Sequence, residues 1–196
     1  MKAQPLDITG FLRLVLESLE AAGVEYLIGG AIAEWAWGEP RATQDLDIVI
    51  KLPVKAAGRF SKELEKRNML VPVDIILDAM VEDRADIPLS AIHIYSGLKA
   101  DIYLMREGDR LRQSAFQRRI KVDYGPPIGK VYVHSPEDLI IYKLMYLGLS
   151  GQPKHARDIA AILRAKKNSL DFGYIEEWVT RLGLGSVWKE MQDSIA

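Results

Sequence analysis

The chain has no cysteine among its 196 residues. That absence excludes disulfides and thiolate metal sites, and nothing argues for an oxidising compartment. Histidine is scarce as well, and His93, His134 and His155 lack any metal-ligand spacing, so all three read as structural or surface residues. No uninterrupted apolar run approaches membrane-spanning length, and the opening MKAQPLDITG lacks the apolar core of a signal peptide. The expectation is a cytoplasmic protein with no membrane partner. Internal repeats and low-complexity linkers are also lacking. What is present is a composition 48% hydrophobic and 27% charged, which excludes disorder as the main state.

The formal net charge of -1 conceals a polarity along the chain. Residues 1–104 hold 11 Lys and Arg against 16 Asp and Glu, residues 105–167 hold 13 against 6, and residues 168–196 hold 2 against 5. A basic middle segment facing an acidic site suits a polyanionic substrate with bridging cations; a solvated basic helix face is the plain alternative.

Hydrophobic periodicity places a helix over residues 7–22, with Leu12, Val15, Leu16 and Leu19 on one face and Gly23 ending it. A short strand VEYLI follows, then Gly29 and Gly30, a helix AIAEWAW stopped by Gly38 and Pro40, and a second strand DLDIVI. Residues 54–68 and 72–83 read as helices, SAIHIY and KADIYLM as a hairpin, and RRIKVDY and KVYVH as further strands. From Ser135, an N-cap followed by Pro136 and Asp138, the chain turns helical. The fold class is therefore α/β (α+β): a small twisted mixed sheet flanked by helices over residues 1–133, and a helical part over residues 134–196.

The stretch GGAIAEWAWGEPRATQDLDIVI concentrates the chemistry. Strand, Gly-Gly, helix leaves backbone N–H groups free at a helix N-terminus, a ready phosphate site; a tight turn is the other reading. No third glycine follows at dinucleotide-fingerprint spacing, and no Walker-type lysine follows. Asp45 and Asp47 lie two apart on a strand and so share a face, where they repel unless protonated or bridged by a cation; a solvated strand end is the other reading of this pair alone. Hard oxygen ligands select Mg²⁺ or Mn²⁺, and Asp101 puts a third carboxylate in the middle of another apolar strand. Three acids beside a phosphate loop describe a two-metal phosphoryl-transfer site. Trp35 and Trp37 read as core.

These residues resemble the signature of the polymerase-β-like nucleotidyltransferase superfamily, in its branch of minimal and AbiEii-like bacterial proteins. Gly29, Gly30, Arg41, Thr43, Asp45, Asp47 and Asp101 match its parts, and SPEDLIIYKLMYLGLSGQPKHARDIAAIL resembles its helical segment with a lysine and a later aspartate, here Lys143 and Asp158. The resemblance implies a nucleoside triphosphate lying against Gly29 and Gly30, with Asp45 and Asp47 holding both metals. Asp101 would bind one of them and assist deprotonation of an acceptor hydroxyl, whose attack releases pyrophosphate. Lys143 would contact the triphosphate; a lysine snorkelling from an apolar helix face is the alternative. Asp158 would hold Lys143 or a base, or else pair with Lys154 or stand as an acid near a helix N-terminus. Arg41 and Thr43 would orient the carboxylates, contact phosphate, or simply shape the turn. Arg118 and Arg119 would meet an acceptor backbone or stay solvated. Acceptors across the superfamily include tRNA, for toxins paired with an antitoxin protein, as well as proteins and aminoglycosides. A non-catalytic nucleotide- or RNA-binding regulator with the same fold is the reading from another class.

Overall fold

The computed structural model describes residues 6–82 and 86–194. Asp7 caps the first helix, α1 (Ile8–Ala22), by accepting from the Gly10 N–H, and Gly23 ends it in the left-handed conformation. Its buried face of Phe11, Leu12, Val15, Leu16 and Leu19 joins the main core. Strand β1 (Glu25–Ile28) leads into α2 (Gly30–Glu34), and β2 (Asp45–Lys51) returns antiparallel to β1. Helices α3 (Ala57–Glu65) and α4 (Val73–Val81) precede the antiparallel pair β3 (Leu89–Ile92) and β4 (Lys99–Leu104). After α5 (Arg110–Gln117) come β5 (Ile120–Asp123) and β6 (Lys130–Val133), then α6 (Pro136–Ser150), α7 (Pro153–Lys166), α8 (Phe172–Arg181) and α9 (Gly185–Asp193).

Among the described residues the strands form one mixed six-stranded sheet in the order β3-β4-β2-β1-β6-β5. This is the expected fold class. Strand alternation divides its two faces. Leu46, Ile48 and Ile50 of β2 and Ala100 and Ile102 of β4 enter the main core, which also takes in Leu139, Ile140, Ile159 and Ile162 from the C-terminal helices. Asp45 and Asp47 of β2, and Lys99, Asp101 and Tyr103 of β4, therefore fall on the other face. There Val49 packs with Leu27, Ala115 and Phe116 beneath α5 and α6.

Three elements differ from the sequence reading. The helix expected over AIAEWAW closes at Glu34, because the N–H groups of Trp35, Ala36 and Trp37 bond three residues back and tighten the last turn. The helix expected over 54–68 begins as one 3₁₀ turn, Val54–Ala56, and α3 stops at Glu65 ahead of Asn68 at φ 60. Helix α5 was not anticipated at all. Asp109 caps it, accepting from the Arg112 N–H, and buries Leu111, Ala115 and Phe116. No helix of the described residues is long and apolar enough to cross a membrane.

Candidate active site

Parallel pairing of β2 with β4 sets the site. Its register places Asp45 beside Lys99, Asp47 beside Asp101, and Val49 beside Tyr103. The carboxylates thus stand on one face at the strand ends, above the turn made by Gly29 and Gly30. That turn is built around Asp47. The Gly29 N–H donates to the Asp47 carbonyl oxygen at 2.9 Å, and Gly30 holds φ 54, with a would-be Cβ only 1.9 Å from Asp47 Oδ2. Only glycine fits there. The Gly29 N–H is consequently spent within the protein, and the open first turn of α2 is left to Gly30 and Ala31.

A cleft of about 420 Å³ opens over these groups. Gly29, Gly30, Arg41, Thr43, Asp45, Asp47, Asp101 and Lys143 all line it, so eight of the residues singled out in the sequence converge on one cavity. Asp158 stands behind Lys143. Arg118 and Arg119 are not brought to the cleft: Arg118 pairs with Glu137 at 3.4 Å, and Arg119 with Glu25 at 2.8 Å.

Burial, then the charges of Asp101 and Asp45, hold the Asp47 carboxyl above its ordinary range. A cation beside Asp47 would relieve both causes, and a set of carboxylate oxygens suits a hard divalent ion such as Mg²⁺ or Mn²⁺. Among the described residues no three His, Asp or Glu side chains converge closely enough to form a ready-made metal cluster. Asp101 is engaged by neighbouring side chains. Its Oδ1 accepts from the Ser90 hydroxyl at 2.9 Å and its Oδ2 faces the Lys99 ammonium at 2.8 Å.

Lys143 does not snorkel. Its ammonium is buried and donates to Asp158 and, at 3.2 Å, to Glu34. Arg41 adds a second cation, its Nε 3.6 Å from Asp158 and 3.8 Å from Glu34. Asp158 is therefore engaged by Lys143 and Arg41 rather than by Lys154. Burial raises the Glu34 pKa, with Lys143 opposing. Thr43 shapes the approach to β2, its hydroxyl accepting from the Asp45 N–H at 3.2 Å.

Sequence reading missed Glu34, Lys99 and Ser90, together with an aromatic inner wall. His134 stacks on Tyr142 at 5.0 Å, and Tyr146 on His155 at 5.7 Å; all four line the cleft. Burial, with Arg112 nearby, pushes His134 down to about 3, so the imidazole is neutral at physiological pH. Its ring lies against Gly29, 3.1 Å from where a Cβ would stand. Tyr142 and Tyr146 follow Leu139 at helical spacing, a signal that their face is shared with Lys143. Trp37 is partly buried against the core, as expected, and its Nε1 donates to the His134 carbonyl oxygen at 2.7 Å.

Solved structures share this architecture. The chain is similar to a solution structure of the antibiotic-resistance factor ANT(2'')-Ia, at TM-score 0.59 and 14% identity over 96% of this chain and 97% of that one. A crystal structure of ANT(2'')-Ia in complex with adenylyl-2''-tobramycin matches at 0.59 and 15%, covering 92% of this chain and 98% of that one. An antigenic nucleotidyltransferase-like protein from Paracoccidioides brasiliensis matches at 0.56 and 18%, with 95% of each chain covered. The fold is thus one found among nucleotidyltransferases. No protein-family model and no curated protein matches the sequence.

Proposed function

We propose that this chain is a metal-dependent nucleotidyltransferase that moves a nucleoside monophosphate from a triphosphate to an acceptor hydroxyl. The observation that carries the reading is Asp47 on the floor of the cleft, seated against Gly30 and flanked in register by Asp101. Fold likeness to the nucleotidyltransferases above supports it.

Asp45 and Asp47 are the residues that would hold Mg²⁺ or Mn²⁺, with Asp101 contributing from the acceptor side. Such an ion supplies Lewis-acid stabilisation of charge on the reacting phosphoryl group. The chain's own groups do the rest. Gly30 and Ala31 present N–H groups to the triphosphate, and Arg41 and Lys143 offer positive charge along the same wall. Asp101 takes the proton of the acceptor hydroxyl; the hydroxyl oxygen forms a bond to the α-phosphorus while the bond from that phosphorus to the α,β-bridging oxygen breaks, and pyrophosphate leaves.

The acceptor is read from less. The sequence resemblance supports a tRNA acceptor and, with it, a toxin whose partner is an antitoxin protein. A second reading, a small hydroxylated acceptor such as an aminoglycoside, is favoured by the fold likeness to ANT(2'')-Ia, seen with adenylyl-2''-tobramycin.

The test is incubation with each labelled triphosphate and Mg²⁺ or Mn²⁺, offering cell RNA, cell protein and aminoglycosides separately. Label in one fraction, lost with Asp47→Ala, is the expected outcome; removing this ligand costs several kcal/mol of transition-state stabilisation. Label in RNA selects the tRNA reading. Triphosphate binding without turnover in the wild type would favour a regulator of the same fold.

A further inference from the structure

Lys99 stands among three carboxylates. Its place on β4 is opposite Asp45, and its Nζ lies 2.8 Å from Asp101 Oδ2 and 4.0 Å from Asp45 Oδ1. The other Asp101 oxygen accepts from Ser90, which β3–β4 pairing holds directly opposite. Both oxygens of Asp101 thus have a donor already. Asp47 has none among the described residues, and Asp45 is mostly exposed.

We propose that Lys99 is a resident monovalent cation of this site: it holds Asp101, leaves Asp45 and Asp47 as the pair for one divalent ion, and admits a second only where its ammonium is displaced. The inference rests on the metal-site reading above. Three carboxylates carry three negative charges, and Lys99 reduces them to two, the charge that one divalent ion balances. A second divalent ion at Asp101 must overcome repulsion from an ammonium a few ångströms away and break its charge-assisted hydrogen bond. Tethering favours the lysine, because it never dilutes. The compact ammonium, with three donors on a flexible stem, can swing out toward solvent, since its side chain is 37% exposed. Lys99 is accordingly a positioning residue. It sets how many divalent ions the site takes and holds the Asp101 carboxylate in place between its ammonium and the Ser90 hydroxyl.

The experiment is a Mn²⁺ titration of the full chain without nucleotide, since a triphosphate would itself bind the ion, free Mn²⁺ being read by electron paramagnetic resonance. The wild type should bind one equivalent tightly and a second about tenfold or more weakly, a gap that a single nearby charge can produce even after solvent screening. Lys99→Met should bring the second equivalent within a few-fold of the first, and Lys99→Arg should keep the wild-type gap. Two equal equivalents in the wild type, or the same gap in Lys99→Met, overturns the inference while leaving the metal site standing. No Mn²⁺ bound by any of these proteins, or binding that survives Asp47→Ala, removes the metal-site reading and this inference with it.

Discussion

Asp47 takes up a proton more readily in the folded protein than in the unfolded chain, because burial and two neighbouring carboxylates hold its pKa above the ordinary 3.8. A raised carboxyl pKa favours the folded state fully only below the unfolded value, and that contribution is lost as pH rises through the folded value. At neutral pH the ionised group therefore opposes folding. Asp47→Asn, without divalent ions, should raise Tm by about 2–4 °C, roughly 1 kcal/mol for a domain of this size. The gain should shrink as pH falls through the raised Asp47 pKa and vanish below the ordinary one; thermal melts across that range check it. Lys143 behaves in the opposite way. Its ammonium is the shared partner of two buried carboxylates, Glu34 and Asp158. Lys143→Met leaves both facing Arg41 alone and should cost about 3 kcal/mol in denaturant unfolding. Adding Glu34→Gln, which removes one stranded charge, should restore part of the loss.

Turn geometry and strand register do at the level of elements what no single residue does. Gly30 and Gly97 share a left-handed backbone, at φ 54 and φ 72. A Cβ on Gly97 meets nothing within 4 Å, whereas one on Gly30 would overlap the Asp47 carboxylate. Gly97→Ala should lose about 1 kcal/mol from backbone strain alone. Gly30→Ala carries the same strain and must also push Asp47 aside, so a larger loss is expected, together with weakened Mn²⁺ affinity that Gly97→Ala does not show. Parallel titrations of the two variants check this. The Gly-Gly turn and the D-x-D strand were legible because both signals are local: alternation fixes the shared face, and glycine marks the turn. Lys99 was not legible as a neighbour of Asp45, since pairing of β2 with β4 joins segments some fifty residues apart. Glu34 was hidden for a different reason. It sits in an apolar helix whose carboxylate becomes meaningful only when α6 and α7 bring Lys143 and Asp158 against it. Helix α5 was missed although Asp109 ahead of Leu111 and Ala115 is a fair cap-and-face signal.

Across the whole molecule the basic middle segment has a structural use. Arg118, just past α5, lies 3.9 Å from the centre of the Tyr174 ring on α8 and pairs with Glu137 and, at 3.8 Å, Asp138 on α6. The Tyr174 hydroxyl closes the arrangement by donating to Asp138 at 2.7 Å. Arg119 in turn joins β1 through Glu25. The Arg118 contacts, and a main core drawing on both the sheet and the C-terminal helices, connect residues 1–133 to residues 134–196. A free cationic surface would behave otherwise. If Arg118 met an RNA backbone, its removal would flatten the dependence of log affinity on log salt by about 0.7 to 0.9, the share of one phosphate. Engaged as it is, Arg118→Ala should leave that slope unchanged for any RNA the protein binds. Its effect should instead appear as stability, about 1 kcal/mol, from losing the cation beside Glu137 and Asp138, which keep their donors Asp171 N–H, Ser135 and Tyr174, and from uncovering the Tyr174 ring. The loss should move one cooperative transition to lower temperature, since sheet and helices share a core. Calorimetry resolving two transitions, with only the lower one shifted, would show instead that the C-terminal helices unfold as a separate unit.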